Sequence, residues 1–171
     1  IRDRVSGGQV GAEKGALSIM VGGNYEAFKK SKSLMDLYGK KVEYMGDTGS
    51  GQQTKIINQI CIGGLIQSLS EAIYFMKQTN LDPSKVLDVI SSGAAQSWQM
   101  ENRFKTMTEN KFDFGFAVDL MRKDLSIAFK ESKKYGIDLE ITKIIDTFYN
   151  DLQEHGFNSL DTSSLIKRLI K

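Results

Sequence analysis

Three segments hold residues whose types and spacing could do chemistry. The first is Ser6-Gly7-Gly8-Gln9-Val10-Gly11. Adjacent glycines let backbone N–H groups come close to an anion, and the serine adds a hydroxyl donor. A carboxylate is a suitable guest, although the residues alone fit an ordinary turn between strands more simply. The second runs from Gly46 to Gln59 and is a Gly-rich lead-in to a helix, with Lys55 in its first turns. Asn58 and Gln59 follow three and four residues later, so the three polar ends share one helical face. The helix dipole and burial would both disfavour the charge on Lys55 and suit it to acid/base work. A lysine that snorkels from a helix start fits equally well. This segment is not a Walker A loop, because Gln52 follows Gly51, nor a dinucleotide fingerprint, because Thr54 stands where the third glycine belongs. The third segment spans Phe112 to Leu125. On a helix, Phe116 and Lys123 would lie two turns apart on one side. By itself it reads more simply as aromatic core contacts beside a solvated Arg122-Lys123-Asp124 cluster.

The elements that must position these residues divide the chain in two. Twelve of the 16 glycines fall within residues 1–64, so that part reads as turns and short strands, and the remainder as helices with terminal glycines. Residues 1–45 predict strand, strand, helix, strand. The clearest pieces are a strand over 16–21, a helix over 24–38 opened by Asn24, and a strand near Val42, Tyr44 and Met45. Phe28, Leu34, Met35 and Tyr38 are expected on the inner side of that helix. So little sheet cannot stand alone, which marks it as the edge of a larger α/β domain. Residues 52–78 predict a long helix apolar on nearly every face, the signature of a buried central helix, and too apolar for its own chain's short helices to cover. Asp82-Pro83 opens a short helix that stops near Gly93. Further helices are expected over 95–108, 116–135 and 139–155. The last should turn Ile141, Ile144, Ile145, Phe148 and Leu152 inward. Asp161 is expected to cap a short final helix with Leu165, Ile166 and Leu169, and Trp98 to be core or interface. The boundary falls near 46–52 with no flexible linker, so the long helix itself is the joint.

Composition narrows the classes. The 171 residues are 40% hydrophobic and 26% charged, as expected of a globular chain able to bury a core. Lys+Arg 23 against Asp+Glu 21 leaves a formal net charge of +2, which argues against nucleic acid as a partner. One cysteine, Cys61, and one histidine, His155, argue against a disulfide framework and a metal site. The apolar stretch from Ile56 to Met76 is broken by Asn58, Gln59, Gln67, Ser68, Ser70 and Glu71, so no membrane span is expected. No signal peptide is visible, and a cytoplasmic location is expected.

Taken in order and at these spacings, the segments carry a resemblance. VSGGQVGAEKGALSIMVGG at 5–23, GSGQQTKIINQ at 49–59, FGFAVDLMRKDL at 114–125 and GFNSLDTSSL at 156–165 are similar to motifs of the β-hydroxyacid dehydrogenase family, which includes 3-hydroxyisobutyrate dehydrogenases and tartronate-semialdehyde reductases. The resemblance implies a mainly α fold. A helical domain like the C-terminal domain of 6-phosphogluconate dehydrogenase would cover residues 49–171, and a small α/β remnant of the Rossmann domain residues 1–48. It implies an enzyme that oxidises a short 3-hydroxy acid with NAD or NADP, or reduces the matching semialdehyde. Lys55 would be the general acid/base. Ser6, Gly7 and Gly8 would bind the carboxylate, Asn58 or Gln59 would help hold substrate, and Phe116 and Lys123 would lie beside the nicotinamide. No metal is implied. A homodimer or higher homo-oligomer is, with no nucleic acid or membrane as partner. Two departures stand out: Arg2, Asp3 and Arg4 replace the family's usual Asp-Ala-Pro, and the GxGxxG half of the Rossmann domain is missing. The 171 residues alone are therefore expected to be inactive. The competing reading is a non-catalytic helical dimerisation module with a degenerate site.

Overall fold

The computed structural model describes residues 1–170. The chain forms two compact units, with the boundary after Gln59. The first unit holds a sheet of three strands in the order β1 (Arg2–Ser6), β2 (Leu17–Gly22), β3 (Gly39–Gly46). β1 pairs antiparallel with β2, and β2 pairs parallel with β3 through helix α2 (Tyr25–Met35). β2 is the buried centre, with Leu17, Ile19 and Val21 packed against Phe28, Met35 and Val42. Asn24 caps α2 by accepting from the Ala27 N–H at 2.9 Å. Met35 lies two turns after Phe28, so both face the sheet. Leu34 does not: it is 63% exposed, because six residues from Phe28 carries it to another side. Tyr38 also departs from the expected inner face, because α2 ends at Met35. A short helix, α1 (Gly8–Glu13), occupies what the sequence suggested was a turn.

The Gly-rich segment after β3 has a packing role. A Cβ on Gly51 would collide with the Met20 carbonyl oxygen, and one on Gly22 would lie 2.7 Å from the Asp47 oxygen. The start of helix α3 (Ser50–Lys77) and the end of β2 thus meet backbone to backbone. Glycine is needed here for close approach.

α3 runs unbroken through the unit boundary. In the second unit it is shared by two cores. Ile66 joins Met121 and Leu125 of α6 (Val118–Lys134), Ile145, Tyr149 and Leu152 of α7 (Glu140–Glu154), and Leu165. Leu69, Ile73 and Met76 join Met100, Phe104 and Met107 of α5 (Trp98–Thr108), with Phe112 and Ile166. α4 (Pro83–Ser91) carries Val86, Leu87 and Ile90 against the second cluster. Its cap is Asp82, which accepts from the Ser84 and Lys85 N–H groups.

Several expectations are corrected here. α7 buries Thr142, Ile145, Tyr149 and Leu152, at spacings of three, four and three, whereas Ile141 and Ile144 are 67% and 50% exposed, each one position off that stripe. The segment after Asp161 is a 3₁₀ helix, Thr162–Arg168. Of the two places expected for Trp98, core or interface, the core is excluded: the residue is 55% exposed, outside both clusters. α3, by contrast, is left partly uncovered by its own chain, as its composition predicts: Leu65 and Phe75 are exposed. By length and composition α3 is the one helix among the described residues that could cross a membrane, yet one side of it builds both cores.

Candidate functional site

In the first unit, Ser6 ends β1 and is half-buried, and Gly7 and Gly8 lead into α1. Gly7 has φ 133° and Gly8 φ 61°, the left-handed side of backbone space that glycine tolerates. The leading N–H groups of α1 precede its hydrogen-bond ladder. A serine hydroxyl and a helix start therefore stand together, an arrangement suited to an anionic group.

Lys55 sits half-buried in the second turn of α3. One turn on, the Asn58 side chain donates from Nδ2 to Gln59 Oε1 at 2.9 Å, and Gln59 is buried at 1% exposure. The two amides thus form a fixed pair on the helix that carries the lysine. Thr54, in the place of a third glycine, donates its hydroxyl to the Ser50 carbonyl at 2.9 Å. Arg2, Asp3 and Arg4 line a small depression with Thr48, Gly49 and Gln52, and Arg4 donates to Gln52 Oε1 at 3.3 Å.

In the second unit, Phe116 precedes α6 instead of lying within it, so the expected two-turn relation to Lys123 does not hold. The start is delayed because Ala117 is extended, as the N-cap position requires. The Phe116 ring packs against the first core cluster. Lys123 is exposed, with its ammonium 3.4 Å from the Asp124 carboxylate. Arg122, its neighbour, has a structural role. Its guanidinium reaches Asp146 at 3.0 and 3.2 Å, Asn150 at 2.6 Å and Gln153 at 2.6 Å, tying α6 to α7.

One feature the sequence reading treated only as a cap is the Asp161 carboxylate, 1% exposed. Its Oδ1 accepts from Arg103 Nε at 3.0 Å, the Ser163 N–H at 3.1 Å and the Ser163 hydroxyl at 2.6 Å. Its Oδ2 accepts from the Phe116 N–H at 2.9 Å. The Arg103 guanidinium lies over Trp98 at 5.0 Å and Phe114 at 4.9 Å. The available signal was the acidic residue within GFNSLDTSSL; its partners lie too far off in sequence to infer. No group of three or more His, Cys, Asp or Glu that could hold a metal occurs among the described residues.

Two family models match the chain, one on each side of the start of α3. Residues 49–169 match the family model described as NAD-binding of NADP-dependent 3-hydroxyisobutyrate dehydrogenase. Residues 3–46 match that described as the NAD binding domain of 6-phosphogluconate dehydrogenase. A Shewanella frigidimarina protein named as an uncharacterized oxidoreductase is 51% identical over 167 residues, covering 98% of this chain and 57% of that protein. The 2-hydroxy-3-oxopropionate reductase of Escherichia coli is 36% identical, covering 96% and 56%. The crystal structure of a 3-hydroxyisobutyrate dehydrogenase from Salmonella typhimurium superposes with a TM-score of 0.86 at 28% identity, covering 96% of this chain and 58% of that one. The chain spans about half the length of the curated relatives it matches.

Proposed function

This chain belongs to the β-hydroxyacid dehydrogenase family, and from that premise we propose that the whole protein oxidises a short 3-hydroxy acid, such as 3-hydroxyisobutyrate, with NAD or NADP, or reduces the matching semialdehyde. Residues 49–171 are its helical domain, of the 6-phosphogluconate dehydrogenase C-terminal type, and residues 1–48 the end of its nucleotide-binding domain. The protein works in the cytoplasm as a homodimer or higher homo-oligomer.

The Ser6 hydroxyl and the backbone at Gly7 and Gly8 hold the substrate carboxylate, and this fixes orientation. Asn58, with Gln59 behind it, holds the rest of the substrate. Lys55 takes the proton of the substrate hydroxyl as the carbonyl forms, and returns it in the reverse direction. The dinucleotide, when bound, supplies the two-electron acceptor or donor. The residues of this chain suit one end of it: the exposed Lys123 ammonium and Phe116 fit the nicotinamide side, while no GxGxxG phosphate loop occurs in these 171 residues. They should therefore be inactive alone.

The observation that carries this reading is the half-buried Lys55 on the second turn of α3, followed one turn later by the joined Asn58–Gln59 amides. Steady-state kinetics of the whole protein on a panel of short 3-hydroxy acids tests it. Lys55→Ala should lower kcat by ~10²–10⁴-fold, the usual share of a general acid–base group. Lys55→Arg should restore little, because arginine does not release its proton near neutral pH. Ser6→Ala should raise KM more than it lowers kcat, as loss of ground-state binding does. Turnover of Lys55→Ala within a few-fold of wild type would make Lys55 a structural residue and end the mechanism.

A further inference from the structure

We propose that Asp161 is a positioning residue for the dinucleotide side of the site, setting the backbone of Phe116 and the approach to α6; this rests on the function proposed above. Phe116 is held from both ends of its peptide unit. Its N–H donates to Asp161 Oδ2 at 2.9 Å, and its carbonyl accepts from the Thr162 N–H at 2.8 Å. The strip 158–161 continues the clamp into α6: the Val118 N–H donates to the Leu160 carbonyl at 2.9 Å and the Asp119 N–H to the Asn158 carbonyl at 3.1 Å. The Asp161 N–H donates to the Phe112 carbonyl at 2.9 Å, which closes the other side. The segment that carries Phe116 into the helix of Lys123 is thereby bolted to GFNSLDTSSL, a motif otherwise without a role.

A simple N-cap would not need this environment. Capping requires one acceptor oxygen, which the Ser163 N–H engages on Oδ1. The second oxygen is aimed at Phe116, and the chain makes room for it. Gly115, at φ 74°, would drive any Cβ into Asp161 Oδ2 and to within 2.9 Å of the Arg103 guanidinium. Arg103, itself 17% exposed and between two aromatic rings, balances the buried charge. So Gly115, Arg103 and Ser163 all hold a carboxylate whose remaining bond goes to Phe116.

Asp161→Asn separates the two bonds. The amide oxygen must face the three donors on the Oδ1 side, which leaves its NH₂ against the Phe116 N–H. A donor then meets a donor, and the Phe116 bond is lost. Gly115→Ala should have the same effect by displacing the carboxylate. Met107→Ala is the control: it opens a cavity in the other cluster and destabilises without touching Phe116.

The experiment uses the whole protein, at a temperature where melting curves show each variant folded. The wild-type Phe116 amide should be protected from hydrogen exchange. In Asp161→Asn and Gly115→Ala it should exchange faster, and the dinucleotide KM should rise about tenfold, as a small misplacement of a binding group predicts, with a smaller change in kcat. Met107→Ala should lower the melting temperature and leave the dinucleotide KM unchanged. An unprotected Phe116 amide in the wild type would overturn the proposal even if no variant folds. So would equal KM shifts in Asp161→Asn and Met107→Ala, or a KM within twofold of wild type in Asp161→Asn and Gly115→Ala. A wild-type protein that binds no dinucleotide and oxidises no hydroxy acid would instead remove the proposed function, and the purpose of Asp161 with it.

Discussion

The phenol of Tyr149 is wholly buried on α7 and donates to the Thr162 carbonyl at 3.3 Å. Burial pushes its pKa well above the ordinary value, and the negative charge of Asp161 adds to the effect. The folded state therefore favours the neutral phenol more than the unfolded state does. The stability this contributes is complete below pH ~10, the unfolded pKa, and falls as pH rises toward the folded pKa, at about 1.4 kcal/mol per pH unit. Tyr149→Phe has nothing to ionise. Urea unfolding of both proteins at a series of alkaline pH values should show the wild type losing ground to the variant above pH ~10. Parallel curves would mean that the phenol ionises with equal ease in both states.

At the scale of elements, the two glycine environments of α3 make opposite predictions. Gly51 has no room for a methyl group, and its obstacle is a backbone oxygen of β2 that cannot rotate away. Gly51→Ala should cost about 1–3 kcal/mol, as overpacking does. Gly64, in the same helix, would meet nothing within 4 Å. Gly64→Ala should gain about 0.5–1 kcal/mol by restoring helix propensity. Thermal denaturation of the two variants should shift in opposite directions; equal shifts would refute the close contact at Gly51. Helix starts were legible in the sequence where a side chain bonds the first turn, as at Asn24, Asp82 and Asp161. α7 starts without a cap bond and is still legible from its apolar period, whereas α1 and the start of α6 are not. α1 is six residues long, too short to show a helical period, and α6 begins after the extended Ala117, with no side-chain bond to set it off from Phe116. Apolar identity also misled: Ile141 and Ile144 were placed inward by type, while Thr142 and Tyr149, with polar atoms, fill the buried stripe. Of the candidate site, sequence pointed to side chains that bear chemistry, such as Ser6 and Lys55. It did not reveal Arg103 with Asp161, whose partnership spans 58 residues.

For the whole molecule, the apolar surface points to association. Leu65 and Phe75 on α3, Val89 on α4, and Ile141 and Ile144 on α7 are all exposed. Exposed apolar side chains mark an interface where they join in one patch, and we propose that these do so across the homo-oligomer. Light scattering at micromolar concentration should report a dimer or larger homo-oligomer of the whole protein, with an interface of obligate size. A monomer would overturn that expectation. Trp98 has a different consequence at this scale. It is the only tryptophan in the chain, it lies in the second unit, and its indole is half in water with a guanidinium over its face. These 171 residues thus carry one indole fluorophore, seated on the arginine that balances Asp161. Its emission colour responds when that arginine moves, without any label. A melt followed by indole emission alone records the second unit and is blind to the sheet of the first.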